Sequence, residues 1–342
     1  MKPSEAKQAL IHLTKQQRPA FIWGPPGVGK SDVMHQTADE MGYELRDMRL
    51  STMDPTMLQG FPIPDMEAKV MKWLVAEVLP PMMVKKGAKL VPNESKGILF
   101  LDEMNSAAPA VQAAGYQLIL NRRLGEYVLP KNWSVHAAGN RASDRSIVHA
   151  MPAALANRFV HIDFNVDVDD WLLWAAQNGV SEVTRGFIKF RPGLLHSFDA
   201  ASNPRAFPSP RSWRFVDDIF RQGLPANIER ELISGTVGEG AMVEFIQFAS
   251  VYRDLPTVEE IMLNPDTAPV PDDTNPAAQY AVCTMLDSRA DKSNMGRLHT
   301  YIARMRTEFQ VFFMRSAARI NRDVTQTKEF QSWITKNQEI LI

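Results

Sequence analysis

Residues 24–31 read Gly24-Pro25-Pro26-Gly27-Val28-Gly29-Lys30-Ser31 and follow the apolar run Ala20-Phe21-Ile22-Trp23. This is the G-x-x-x-x-G-K-S/T pattern, lying after a predicted strand and before a predicted helix. Its glycines let successive backbone N–H groups face phosphate oxygens, and the start of the helix adds its positive dipole end. We therefore predict that 24–31 binds a nucleotide, with Lys30 reaching the β- and γ-phosphates and Ser31 ligating Mg²⁺.

The composition is that of a packed protein without a strong overall charge. The chain has 342 residues, of which 45% are hydrophobic and 23% charged, and its formal net charge is −1. These values exclude a wholly disordered chain and a globally basic nucleic-acid binder. Cys283 is the single cysteine, which excludes an internal disulfide framework and a cysteine-rich metal site, and we expect it to be a small buried residue.

A cytoplasmic location is predicted from the N-terminus and from hydropathy. Residues 1–17 lack the apolar core of a signal peptide. No stretch approaches the ~20 apolar residues that a membrane helix needs.

Apolar runs alternate with helical patterns in the first half of the chain. Strands are predicted over 20–23, 43–50, 98–101, 135–138 and 160–164, with helices from residue 30 and from 106–109 to about 121. This alternation indicates an α/β fold, a P-loop parallel sheet with helices on both faces and ligands at the carboxyl ends of its strands. From Asp167 onward the pattern is helical, and one long helix is predicted over about 294–321.

The domain organisation follows from these patterns. We predict an α/β nucleotide-binding domain over 1–165, with a proline-rich, irregular insert at about 51–96. A helical lid is predicted over 166–255. A C-terminal helical extension over 256–342 is expected to follow a proline-rich linker at 264–278.

The apolar strand 98–101 ends in two acids, Asp102 and Glu103. Asp102 is predicted to lie beside the phosphate loop and hold Mg²⁺, directly or through water. Glu103 is predicted to polarise the attacking water. Phosphoryl transfer needs positioning and charge neutralisation, so a metal, a lysine and a water-orienting acid form a sufficient minimal set.

The order of these motifs resembles that of the AAA+ ATPases. Val135-His136-Ala137-Ala138-Gly139-Asn140 resembles their sensor-1 strand, which implies that Asn140 bonds the water or the γ-phosphate. Ala154-Leu155-Ala156-Asn157-Arg158-Phe159 resembles the segment with the arginine finger, which implies that Arg158 reaches a neighbouring subunit's nucleotide. Ser209-Pro210-Arg211 resembles the sensor-2 motif, with Arg211 on the nucleotide of its own chain. An arginine suits both positions because its planar fork matches phosphate oxygens.

Within the family, residues 18–220 resemble the MoxR-type proteins. Met57-Leu58-Gln59-Gly60 and the segment after it are similar to the helix-2 insert, and 125–130 to the β-hairpin before sensor 1. The chain departs from the pattern at Met57, where an acid is usual, and at Arg141, where proline is usual.

The MoxR-type resemblance implies a function and an assembly. It implies an ATPase that uses ATP and Mg²⁺ and forms a homo-oligomer, a hexameric ring. It also implies a chaperone-like role in remodelling a protein target, together with a partner that carries a von Willebrand factor A domain.

Two other functions stay open. Residues 140–146 are similar, with one extra residue, to the Asn-Thr-Ala-Asp-Arg-Ser motif of the GTP-dependent restriction motor McrB. A DNA-directed motor of restriction or phage type is therefore one alternative. A nucleotide-gated scaffold with little turnover is another, against which Glu103, Asn140 and Arg158 argue.

Two surface features have more than one interpretation. Met57 and Phe61 lie in the insert, where they either pack locally or project into the pore of a ring. Around residues 294–322, a basic stripe runs beside an apolar face. Such a stripe binds nucleic acid or an acidic partner, or forms a solvated flank or a subunit contact. Its members are Arg297, Arg304, Arg315, Arg319 and Arg322.

Overall fold

A computed structural model describes residues 1–144, 149–199 and 205–337 of the chain. These residues belong to two compact units, Met1–Val166 and Asp167–Ile342. The first unit is α/β and the second is helical. The predicted division into three parts, with a lid that ends near residue 255, stays a prediction.

The strands of the described residues all lie in the first unit. In chain order they are β1 (Ala20–Trp23), β2 (Glu44–Arg49), β3 (Phe61–Asp65), β4 (Val70–Leu74), β5 (Met83–Lys86), β6 (Lys89–Pro92), β7 (Gly97–Asp102), β8 (Arg123–Leu124), β9 (Tyr127–Val128), β10 (Trp133–Gly139) and β11 (Val160–Asp163).

Five of these strands form one parallel sheet in the order β11-β1-β10-β7-β2. The central strands β7 and β10 are buried along their whole length, as expected of a sheet covered on both faces. A Cβ atom at Gly97 would lie 2.6 Å from the Trp133 indole, so this register requires glycine at residue 97. The carboxyl ends of β1, β7 and β10 therefore meet at one edge.

Helices cover both faces of this sheet, as predicted. They are α1 (Pro3–Lys15), α2 (Lys30–Met41), α3 (Pro55–Gln59), α4 (Pro109–Asn121) and α5 (Ala153–Ala156). Leu10 of α1 and Val33 of α2 share a buried cluster with Phe100, whereas Val111 of α4 shares another with Leu101. Successive residues of a strand point to opposite faces, so β7 contributes to both cores.

The insert is not irregular, which corrects the prediction for 51–96. It contains α3 and two antiparallel hairpins, β3–β4 and β5–β6. The Asp65 carboxylate accepts hydrogen bonds from the backbone N–H groups of Glu67 and Ala68 and so closes the first turn. Gly60 begins this hairpin at φ +87°, with its Cβ position only 1.8 Å from the Leu74 carbonyl oxygen, a position that only glycine allows. Turn residues such as Asp65 and Gly60 are typical of hairpins, but the high proline content of this segment favoured the prediction of irregular structure.

The second unit consists of helices. These are α6 (Val168–Gln177), α7 (Glu182–Phe190), α8 (Pro210–Phe220), α9 (Ala226–Val237), α10 (Glu239–Arg253), α11 (Val258–Leu263), α12 (Pro276–Asp287), α13 (Met295–Ile302), α14 (Thr307–Ile320) and α15 (Lys328–Lys336). Cys283 is fully buried, as predicted, and burial raises the pKa of its thiol.

The prediction of one long helix over 294–321 was wrong, because the helix is interrupted between α13 and α14. The Gln310 amide donates to the carbonyls of Ala303 and Met305, which satisfies backbone acceptors that the break leaves free. The Arg304 guanidinium donates to the carbonyls of Pro265 and Ala268. The apolar residues on either side still share one core, so their spacing alone did not reveal the break.

Within the described ranges, no helix is long and apolar enough to cross a bilayer. Among the same residues, no group of three or more histidine, cysteine, aspartate and glutamate side chains is arranged to hold a metal ion.

Candidate nucleotide site

The phosphate loop connects β1 to α2 at the carboxyl edge of the sheet. Gly27 and Gly29 have φ values of +78° and +99°, in the left-handed region that favours glycine. With these conformations, the loop turns from the strand into the first turn of α2, which begins at Lys30. The loop therefore has the backbone of an anion-binding site at a helix N-terminus.

Lys30 lies across the loop rather than in solvent. Its Nζ donates to the carbonyls of Gly24 at 2.7 Å and Pro25 at 2.9 Å, and to Oδ1 of Asn140 at 3.0 Å. The side chain is 8% exposed. The tertiary structure thus joins two predicted site residues that lie 110 positions apart, Lys30 and Asn140.

Ser31 and Asp102 contact each other directly. The Ser31 hydroxyl donates to Oδ2 of Asp102 at 2.6 Å, and Oδ1 of Asp102 accepts from the Glu103 N–H at 2.8 Å. A hydroxyl and a carboxylate side by side are the hard oxygen ligands that Mg²⁺ prefers, and Mg²⁺ is commonly held by only one or two protein groups. These residues therefore fit the metal predicted for them.

Glu103 has an unusual backbone conformation just after β7, with φ +53°. This left-handed residue turns the chain sharply and projects the side chain from the strand end. Its Oε2 accepts a hydrogen bond from the Ser51 hydroxyl, and its Oε1 lies 3.6 Å from Nε of Arg49.

Ser51 and Arg49 were missed by sequence reasoning. No motif in the sequence points to them, because their position depends on the strand order: β2 is the parallel neighbour of β7 and pairs Arg49 with Asp102. Residues at the carboxyl end of β2 therefore lie beside the acids that end β7.

Asn140 follows β10 and is held by Asn105. The Asn105 amide donates to the Asn140 carbonyl at 2.8 Å. A Cβ atom at residue 139 would lie 2.1 Å from Oδ1 of Asn105, so Gly139 is needed for this close approach. Glycine before Asn140 is thus explained by the packing of a neighbouring side chain.

Arg158 lies away from this constellation. It precedes β11, whose Val160 pairs with Ala20 at the amino end of β1, whereas the phosphate loop follows the carboxyl end of β1. A strand of four residues is about 13 Å long. Arg158 and its own phosphate loop therefore lie at opposite ends of the strands β1 and β11. Its side chain is exposed.

Arg211 belongs to the second unit, as the second residue of α8. A capping box between Ser209 and Ser212 starts this helix, and the Arg211 side chain is exposed. Its contact with a nucleotide stays a prediction.

The segment similar to McrB is described only in part. Arg141 contacts Asp163 at 3.1 Å, and its N–H donates to the Asp144 carboxylate at 2.9 Å. Arg145 and Ser146 of this motif lie outside the described residues.

Comparison with known proteins identifies the first unit. Residues 19–159 match the family described as AAA domain (dynein-related subfamily). This segment contains the phosphate loop, Asp102, Glu103, Asn140 and Arg158. Residues 19–159 form an AAA+ domain. The match confirms the predicted AAA+ fold and bears out the predicted ATPase class with ATP and Mg²⁺, whereas the MoxR subtype stays a prediction.

Two relatives of known name are similar to parts of the chain. Midasin of Giardia intestinalis is 30% identical over 184 residues, which are 50% of this chain and 4% of that protein. The replication factor C large subunit of Pyrobaculum calidifontis is 46% identical over 37 residues, 11% of this chain and 9% of that protein. The chain thus spans less than a tenth of the length of either relative.

Solved structures are similar only at a low level. A mutant form of Thermotoga maritima RuvB has a TM-score of 0.37 and 13% identity, covering 72% of this chain and 68% of that one. Brucella abortus NtrX in complex with ADP has a TM-score of 0.36 and 14% identity, covering 99% and 68%. At this level of similarity, these structures do not indicate what the chain does.

Proposed function

We propose that this AAA+ chain hydrolyses ATP with Mg²⁺ at the subunit interfaces of a ring and uses the cycle to remodel a protein partner. The observation that carries the proposal is the convergence of five predicted residues at one sheet edge. Lys30, Ser31, Asp102, Glu103 and Asn140 come from three separate segments and meet around the phosphate loop.

The proposed roles follow from the chemistry of each group. Lys30 exchanges its carbonyl partners for phosphate oxygens, which a cation binds more strongly. Ser31 and Asp102 hold Mg²⁺, which when bound neutralises charge on the phosphates. Glu103 orients a water through its carboxylate oxygens, and Asn140 positions that water or the terminal phosphate.

A ring is proposed because of where Arg158 lies. Arg158 is exposed and lies at the opposite end of the strands from its own phosphate loop. This position suits a residue that acts on a neighbouring subunit. A hexamer is the assembly that the MoxR-type resemblance implies. The hairpin β8–β9 overlaps the hairpin expected at 125–130 before sensor 1, which supports the same subtype.

A protein partner is favoured by the surface of the insert. Phe61 is 64% exposed, Met57 51% and Trp73 41%, so the hairpin β3–β4 and its flank present apolar side chains to solvent. Exposed apolar surface suits a protein contact. Residues 51–96 contain six lysines and five acids, which is no excess of charge for phosphate binding. We propose a protein with a von Willebrand factor A domain as the partner.

The test of ATP hydrolysis uses two variants and a matched control. Glu103→Gln should bind ATP normally and lose two or more decades of rate, about 3 kcal/mol or more, because an amide cannot polarise water as a carboxylate does. Lys30→Ala should lose tight nucleotide binding. Glu126→Gln removes an exposed carboxylate outside the site and should match the parent. Turnover by Glu103→Gln at the parent rate would contradict the role of Glu103.

The DNA-motor alternative has its own discriminating measurement. Competition between ATP and GTP, with duplex DNA present or absent, separates the two functions. A clear GTP preference with DNA-stimulated turnover would support the restriction-type motor. ATP preference without DNA stimulation supports the protein-remodelling function proposed here.

A further inference from the structure

A pocket in the second unit lies outside the nucleotide site. Its volume is about 210 Å³, and its walls come from α6, α7, α12 and α14. The apolar part of the wall includes Leu172, Leu173, Tyr280, Val311 and Phe312. Three basic side chains, Lys189, Arg315 and Arg319, line the same pocket. An apolar cavity with basic residues beside it suits a ligand that is apolar at one point and anionic next to it.

Helical spacing creates this combination on α14. Residues 308, 312, 315 and 319 follow each other at intervals of four, three and four, and residue 311 lies three after 308 and four before 315, so all five share one face of the helix. Val311 and Phe312 contribute apolar surface, and Arg315 and Arg319 lie on the turns that follow. Two arginines of the predicted stripe are therefore pocket residues. Arg297 and Arg304 instead donate to backbone carbonyls of their own chain.

Asp169 is shared among the basic residues. Its two carboxylate oxygens lie 3.2 Å from Nζ of Lys189 and 3.2 Å from NH1 of Arg319. Burial by itself raises the pKa of this carboxyl, but Lys189, Arg319 and Arg315 together hold the pKa below its usual value. One carboxylate thus serves three cations.

Glu308 does not remove the excess of positive charge. Its carboxylate forms an ion pair with Arg306, which does not line the pocket. Lys189 is further held over the Phe312 ring, with Nζ 5.0 Å from the ring centroid. Arg315 is exposed, so an incoming anion can reach its guanidinium. Its charge also lowers the pKa of Asp169.

The volume decides between a small molecule and a side chain. Pockets for drug-sized ligands are about 300–1,000 Å³, so about 210 Å³ is below that range. It suits a single large side chain, as in the anchor pockets at the centre of protein interfaces.

We propose that this pocket docks an acidic segment of a partner protein. One apolar or aromatic side chain enters between Leu172 and Phe312, and a flanking carboxylate bonds Arg315. This inference goes beyond nucleotide hydrolysis and does not depend on it, because all the lining residues belong to the second unit.

The test measures binding of short labelled peptides to the full chain by fluorescence anisotropy, without nucleotide. The probe is the acetylated peptide Glu-Glu-Trp-Glu-Glu amide. One comparison peptide has glutamine for each glutamate, and another has serine for tryptophan. The first peptide should bind at least fivefold more tightly than either, and high salt should weaken it.

Matched arginine variants locate the site. Arg315→Gln should weaken the acidic peptide about fivefold or more, and Arg315→Lys should restore part of the affinity. Arg322→Gln removes another exposed arginine outside the pocket and should leave binding unchanged. Melting temperatures near that of the parent show that each variant is folded.

Three outcomes would overturn the proposal. One is equal affinity of the tryptophan and serine peptides, which would remove the role of the cavity. The second is an equal loss in Arg315→Gln and Arg322→Gln, which would reduce the effect to general charge. The third is Arg315-dependent binding of a thymidine oligonucleotide that exceeds peptide binding, which would make this surface a nucleic-acid contact.

Discussion

The Ser51 hydroxyl donates a hydrogen bond to the carboxylate of Glu103. These residues lie 52 positions apart and meet because β2 and β7 are parallel neighbours in the sheet. Arg49, at the end of β2, lies 3.6 Å from the other carboxylate oxygen. Both oxygens of the predicted water-orienting acid are therefore engaged in this structure. Ser51 thereby occupies one of the lone pairs with which this carboxylate can accept a hydrogen bond from water, and an exchange of that partner would free it.

The first prediction concerns this exchange. Ser51→Ala should raise the basal rate of ATP hydrolysis, because it removes a hydrogen bond to a charged group, worth about 1.5–3 kcal/mol. If all of that energy restrains Glu103, the rate should rise by about 10- to 100-fold, with nucleotide affinity unchanged. Ser51→Thr keeps the hydroxyl and should behave as the parent. If Ser51→Ala instead loses activity as Glu103→Gln does, Ser51 assists turnover and does not restrain it.

The second prediction concerns Arg158. Arg158→Ala should bind nucleotide nearly normally yet hydrolyse poorly, because an arginine supplied by a neighbour can be worth ~10³ or more in rate. Mixing Arg158→Ala with Lys30→Ala should restore part of the activity, since an intact Lys30 site can then face an intact Arg158. If the two variants co-assemble and no activity returns, the inter-subunit mechanism fails.

The third prediction concerns His136, which is fully buried in β10. Its Nδ1 accepts from the Ala20 N–H at 3.1 Å, and its Nε2 lies 2.9 Å from the Thr14 hydroxyl oxygen. Burial lowers its pKa to about 4, below the usual 6.5. The unfolded chain therefore binds a proton that the folded chain does not, so stability falls as pH drops from about 6.5 to 4. The loss is on the order of 3 kcal/mol.

Urea unfolding at several pH values, followed by pulsed hydrogen exchange in β10, measures this effect. His136→Asn keeps an acceptor for the Ala20 N–H and should flatten the pH dependence. His12→Gln changes an exposed histidine and should retain it. A parent-like slope in His136→Asn would assign the effect to other groups.

The fourth prediction concerns the buried ion pair between Arg185 and Asp287. The two groups lie 3.2 Å apart at 3% and 1% exposure, and Ser316 donates to the same carboxylate. Burial raises the Asp287 pKa to about 6, although Arg185 lowers it. Arg185→Met should lower the free energy of unfolding by about 3–5 kcal/mol at pH 8, because it leaves a buried charge without its partner.

The pH dependence of this variant has a definite sign. A folded-state carboxyl pKa above the unfolded value means that stability is lost as pH rises through that range. Removing Arg185 raises the Asp287 pKa further, so at pH 5 the carboxyl is protonated and needs no charged partner. The loss of stability in Arg185→Met should therefore be smaller at pH 5 than at pH 8. Arg191→Met, which breaks an exposed pair with Glu244, is the control and should cost much less. Equal costs for Arg185→Met at both pH values would contradict the assigned charge state.

The sequence alone was sufficient for the features that consist of contiguous residues. The phosphate loop 24–31 and the strand that ends in Asp102 and Glu103 each depend on local backbone preferences. Alternation of strands and helices was sufficient for the parallel sheet, because both faces of such a sheet must be covered.

Only the tertiary structure decided the contacts between distant segments. The hydrogen bond from Ser51 to Glu103 depends on which strands are neighbours, and the Lys30–Asn140 contact depends on β1 and β10 ending at one edge. The pocket that joins Lys189 to Arg315 and the break between α13 and α14 depend on helix packing. Periodicity reports which face of an element is apolar, but strand order and packing determine what that face meets.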